Sequence, residues 1–168
     1  CKPVSAIYNY HFPASQRRHY DRLARFPEGY LVLGDAFCSF NPLYGQGMTT
    51  AALQAEALDR LLSQRRGDLR GIAHPFFNQA ATLINIPWQT AVGEDFRYLE
   101  TEGKKSLGTD LINAYVTRVN QATHYDPAVG AAFLAVMNMM APPTRLFQPI
   151  TLWRGLGLSL IHISEPTR

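Results

Sequence analysis

Apolar and polar positions alternate in different rhythms along this chain, and each rhythm predicts an element. Val4 to Phe12 carries Ile7, Tyr8, Tyr10 and Phe12 and ends at Pro13, a β-prone run that predicts a strand. Ser15 to Ala24 is polar, with Arg17, Arg18, His19, Arg22 and, just beyond, Arg25, and reads as a solvated helix face. Pro27-Glu28-Gly29 is a turn. Tyr30–Leu33 is short, apolar and partly β-branched, bounded by Gly29 and Gly34, which predicts a buried strand. Asn41-Pro42 marks another turn. From Gly45-Gln46-Gly47 a helix is predicted through Ala51, Ala52, Ala55, Leu58, Leu61 and Leu62, its alanines allowing close packing on a sheet.

The chain turns again at Arg65-Arg66-Gly67, and from there to Gly157 the pattern predicts helices. One starts at His74-Pro75-Phe76-Phe77 and runs to about Ile84. A separate one begins at Pro87-Trp88 and takes in Val92 and Phe96. Glu100, Glu102, Lys104 and Lys105 form a mixed-charge loop. Gly108-Thr109-Asp110 is a start signal for a helix with Leu111, Ile112, Tyr115 and Val119 at helical spacing. Asp126-Pro127 supplies the cap and first position of the next, whose stripe is Val129, Phe133, Val136, Met137 and Met140, with Pro142-Pro143 as its stop. That stripe suits packing against a neighbour.

Composition narrows the class. At 168 residues, 46% hydrophobic and 17% charged, the chain has the make-up of a globular domain with a core. The longest apolar candidate, Val129 to Met140, is too short for a membrane span. No secretory signal opens the sequence, and Cys1 and Cys38 give neither a disulfide framework nor a metal-ligand spacing. The expected setting is cytoplasmic and reducing. The formal charge of +3 adds little, and the arginines of the Ser15–Ala24 segment lack the interleaved aromatics of a nucleic-acid surface.

The candidate chemistry lies between Gly34 and Thr50. A carboxylate, Asp35, leaves the predicted strand end, and a Gly-rich turn feeds a helix N-terminus. An acid there can accept a hydrogen bond from a polyol or ribose hydroxyl. Gly45 and Gly47 let backbone approach a flat or anionic ligand. The first helical amides lack intrahelical partners and favour an oxygen that carries negative charge. The plain alternative is that Asp35 caps a turn. Cys38 suits a small buried thiol better than a redox centre, having no partner at C-x-x-C spacing. His11, His19, His74 and His124 each lack a motif, so no catalytic acid or base is assigned.

Gly34-Asp35-Ala36, then Pro42, then Gly45-Gln46-Gly47-Met48-Thr49, resembles the second flavin-contacting motif of the aromatic-hydroxylase-like FAD monooxygenases. The resemblance is strongest from Gly34 to about Leu62. Cys38, Thr49 and Gln54 depart from it, standing where many members have His, Asn and Asp. The resemblance implies that these motif residues contact FAD, with Asp35 on the ribityl chain and the Gly-x-Gly turn at the pyrimidine end of the ring. It implies an α/β fold: part of a glutathione-reductase-type FAD/NAD(P)-binding domain, the end of a substrate-binding sheet, and a helical C-terminal part. The corresponding divisions are 1–27 for the sheet end and return segment, 28–70 for the flavin-contacting part and 71–157 for the helical region. It further implies NAD(P)H as electron donor, O2 as oxidant, and a small aromatic or similar substrate hydroxylated through a flavin hydroperoxide. No G-x-G-x-x-G turn is present, so the part expected to bind the ADP half of FAD lies outside this chain.

Two other functions stand as alternatives. A flavin-dependent reductase or dehydrogenase of the isoprenoid-reductase kind would carry the same motif. A helical binding module without cofactor would need none of it. The tail Leu158–Arg168 resembles a translated sequencing-library adapter and is set aside as a non-native segment, expected to pack on nothing.

Overall fold

A computed structural model describes residues 4–6, 8–9 and 11–162, with 156–162 described by backbone alone. Among the described residues the chain is mostly helical, with five α-helices and one small sheet. In that sheet β1 (Gln16–Arg17) pairs antiparallel with β2 (Cys38–Ser39), Gln16 opposite Ser39 and Arg17 opposite Cys38. The helices are α1 (Gly47–Arg65), α2 (Ala73–Asp95), α3 (Thr109–Ala122), α4 (Pro127–Met137) and α5 (Pro149–His162).

Two cores hold these elements. In the first, α1 and α2 pack on each other and on the loops that precede them. Phe76 and Phe77 of α2 are fully buried there beside Val32, Phe37 and Phe40. Phe77 is ringed by aromatic side chains: its centroid lies 4.6 Å from that of Phe26, 5.4 Å from Tyr20, 5.6 Å from Phe76 and 5.8 Å from Phe37. Burying one such ring stabilises the fold by roughly 1.5–3 kcal/mol. In the second core Val119, Ala122, Val129, Ala132 and Leu146 join α3, α4 and the 3-10 turn Pro143–Phe147. Helix α5 packs on α3 and α4.

Helix starts follow local chemistry. Asp126 caps α4, accepting from the amides of Ala128 (2.8 Å) and Val129 (3.3 Å), and Pro127 occupies a position that needs no donor. Gly108, left-handed at φ +82°, precedes α3. Asp126 also meets Arg154 of α5 at 3.2 Å. Its carboxyl is held below the usual range: lost hydration works the other way, but is outweighed by the two amides and Arg154.

Several expectations are corrected. Tyr30–Leu33 is not a strand, because no neighbour among the described residues offers it a ladder; Val32 is buried and Leu33 is extended, as single positions. No strand is found in the described residues of Val4–Phe12, and Tyr8 is exposed; Ile7 and Tyr10 lie outside the described residues. Ser15–Ala24 is not a helix but β1 followed by a 3-10 turn, Tyr20–Arg22, since Tyr20 is drawn into the aromatic cluster. The two helices expected on either side of Pro87 are one, α2, with Pro87 inside it. Proline costs a helix interior about 3 kcal/mol. The unbroken buried stripe of Phe77, Ala80, Ala81, Ile84, Pro87 and Ala91 outweighs that cost. On α1 the packed face is Thr50, Gln54, Ala57 and Leu61, while Ala52, Ala55 and Leu62 are exposed. On α3, Leu111 and Ile112 are exposed and only Val119 of the expected stripe is fully buried. Helix α5 continues over 158–162 of the tail; 163–168 lie outside the described residues. No helix among the described residues is long and apolar enough to cross a membrane.

Candidate functional site

The motif residues come together at the start of α1. Gly34, Asp35 and Ala36 form a 3-10 turn, and Pro42, Leu43 and Tyr44 form another. Both glycines that border these turns are left-handed, Gly34 at φ +63° and Gly45 at φ +67°, a region costly for residues with a Cβ. Asn41 caps the second turn by accepting from the Leu43 amide at 3.1 Å. The result brings Asp35 to α1: a Cβ added at Gly47 would lie 3.8 Å from Asp35 Oδ1.

Asp35 is exposed and caps neither turn nor helix. At the α1 N-terminus no side chain caps the helix. The first backbone amide bond there runs from Thr50 N to the Gln46 carbonyl at 2.9 Å, so the amides of Gly47, Met48 and Thr49 remain as donors. Nothing lies within 4 Å of a Cβ placed at Gly45. A carboxylate acceptor thus lies beside a helix N-terminus without a side-chain cap, next to open backbone at Gly45.

Two buried side chains, Gln54 and Gln46, and the half-buried Asp95 hold this arrangement. Gln54, fully buried on α1, accepts from the Gly34 amide at 2.8 Å and fixes the first turn to the helix. Gln46 donates through Nε2 to the Met137 carbonyl at 3.1 Å, tying the second turn to the end of α4. Its Nε2 is engaged there and its Oε1 is buried without a partner among the described residues, so what Gln46 presents on the Gly45–Gly47 turn is backbone. Asp95, at the end of α2, accepts from Tyr44 Oη (2.8 Å), Ser15 Oγ (3.3 Å) and Asn41 Nδ2 (3.4 Å). Burial and that Asp95 bond push the Tyr44 hydroxyl well above the ordinary tyrosine range.

Cys38 is buried, and its thiol is pushed up to about 11 by burial, with Arg17 opposing and Asp35 adding to the shift. A thiol so protonated is a poor nucleophile, as the small-buried-thiol reading expects. Of the basic segment, Arg17 is turned inward to the Ala81 carbonyl at 3.5 Å, and His19 lies 3.5 Å from Asp21. Among the described residues no three His, Cys, Asp or Glu side chains are gathered as a metal centre requires. Sequence reasoning noted Gln54 only as a departure and passed over Asp95. Neither carries a local signal, since each acts on a partner far along the chain.

The chain is similar to Protein Rv3254 of Mycobacterium tuberculosis, with 41% identity over 95 residues. The match takes in 55% of this chain and 20% of that protein, so the chain spans about a fifth of the curated relative's length. No family model matches the chain.

Proposed function

We propose that this chain is the flavin-facing part of an FAD-dependent monooxygenase that uses NAD(P)H and O2 to hydroxylate an aromatic or similarly electron-rich small molecule. The observation that carries the reading is the meeting of Asp35 with the uncapped N-terminus of α1. In a complete protein this region belongs to a glutathione-reductase-type domain, and residues outside the chain hold the ADP half.

The residues present fit such a group. Asp35 has no hydrogen-bond partner among the described residues to give up and would accept from a ribityl hydroxyl. The amides of Gly47, Met48 and Thr49 would donate to the oxygen-bearing pyrimidine edge of the ring. Gly45 and Gly47 keep side chains out of the way, and Gly34, Ala36 and Pro42 shape the turns that bring these groups together. FAD, when bound, supplies the transfer of electrons from NAD(P)H to O2. The chain's own residues bind and orient it.

The test is the absorbance spectrum of the full-length protein containing this chain. The expected result is the two visible bands of a flavin, bleached by NAD(P)H without air and restored by O2. A colourless protein that takes up no added FAD overturns the reading. Oxygen uptake matched to a hydroxylated product separates the monooxygenase from a reductase on the same motif.

A further inference from the structure

Far from the start of α1, helix α3 and the 3-10 turn Pro143–Phe147 border a groove of about 420 Å³. Leu111, Ile112, Ala114, Tyr115, Arg118 and Phe147 line it. Leu111, Tyr115 and Arg118 recur at intervals of four and three, so they share one face of α3. Leu111 is 77% exposed and Ile112 50%. Phe147 stacks on Tyr115 with ring centroids 5.0 Å apart, which adds an aromatic side to the same groove.

Arg118 is the one charged side chain among these lining residues. It is exposed, and it has neither an ion pair nor a hydrogen bond among the described residues. Other arginines of the helical region are engaged: Arg97 pairs with Glu94 and Arg154 with Asp126. The Tyr115 hydroxyl is spent on the Leu146 carbonyl, so it is not free for the head group of a ligand. The groove is thus apolar along α3, with an unneutralised cation at its Arg118 end.

We propose that this groove binds one straight-chain carboxylate, a medium-chain fatty acid, whose hydrocarbon lies along α3 on Leu111, Ile112 and Tyr115 and whose carboxylate pairs with Arg118. An arginine stem lies on apolar surface while its guanidinium stays in water, and the planar fork suits a carboxylate. From Leu111 to Arg118 the helix rises about 10 Å, a length that suits an extended chain better than a compact ring. The volume falls within the roughly 300–1,000 Å³ of small-molecule sites. A protein partner would engage about 20–30 residues a side, against the six that line this groove. The binding is independent of the flavin reading, which uses the start of α1 and none of these residues.

The experiment titrates octanoate, hexanoate and octylammonium separately into the isotopically labelled 168-residue chain at neutral pH. NMR follows the methyl groups of Leu111 and Ile112 and the Nε–H of Arg118. Octanoate is expected to shift all three with a dissociation constant of about 1 mM. Hexanoate is expected to bind about fourfold more weakly, about twofold for each missing methylene, as partial burial of the chain requires. Octylammonium has the same chain and the opposite charge, and is expected to bind about tenfold more weakly than octanoate. Arg118→Gln, at an exposed position, is expected to bring octanoate and octylammonium within about twofold of each other, with the methyl shifts retained as the sign of an intact groove. Equal affinities of the two ions for the wild-type chain overturn the proposal. So does an octanoate affinity that Arg118→Gln leaves unchanged, since attraction to the net positive charge of the chain needs no particular arginine. Absence of octanoate shifts at Leu111 and Ile112, or shifts confined to the groove between α2 and the end of α4, overturns it as well.

Discussion

Tyr44 Oη donates to Asp95 Oδ1 at 2.8 Å, and this bond fastens the turn before α1 to the far end of α2. Hydrogen bonds to a charged acceptor contribute about 1.5–3 kcal/mol net. Tyr44→Phe is expected to lower stability by about 1.5 kcal/mol. Asp95→Ala costs more, because Asn41 and Ser15 lose the same acceptor. A double-mutant cycle by urea unfolding is expected to show coupling of about 1 kcal/mol between the two sites. Additive losses would mean that the bond contributes nothing.

Asp35 makes no hydrogen bond to the described residues, so its replacement should be silent for folding. Asp35→Ala is expected to leave the melting temperature of the apoprotein unchanged. In the full-length protein the same change is expected to weaken FAD about ten- to a hundredfold, the equivalent of one charge-assisted hydrogen bond. A lowered melting temperature with unchanged FAD affinity would make Asp35 a structural residue and nothing more.

Gln54 gives the opposite pattern. Its Oε1 is what the half-buried Gly34 amide has for a partner. Gln54→Leu leaves that donor unpaired and is expected to cost about 1–3 kcal/mol. Gly34→Ala, forced into the left-handed region, is expected to cost about 1–2 kcal/mol. Chemical denaturation measures both, and values near zero would show that the turn relaxes freely.

Cys38 links stability to alkaline pH. Its folded thiol is raised from 9.0 to about 11. The neutral form is favoured in the folded state, so this contribution is fully present below the unfolded value. It is lost as pH rises through about 11. Wild type is expected to lose more stability than Cys38→Ala between those two pH values. Parallel curves would mean that the thiolate is tolerated in place.

What the sequence determined by itself is what short-range chemistry decides. The start of α1 at Gly47, the start of α3 after Gly108, and the cap and first position of α4 at Asp126 and Pro127 all stand where the local signals put them. Each depends on a dihedral preference or on a bond to an amide two or three residues away. The tertiary structure decided everything that needs a distant partner. Tyr30–Leu33 has the composition of a strand, yet a strand exists only where a neighbour completes its ladder. Pro87 has the composition of a helix break, yet the buried stripe on both sides of it carries α2 through. The glycines and Asp35 were legible as a motif. That Gln54, Gln46 and Asp95 pin the motif to α1, α4 and α2 was not, because an isolated polar residue gains its role only from the burial and the partner that packing gives it.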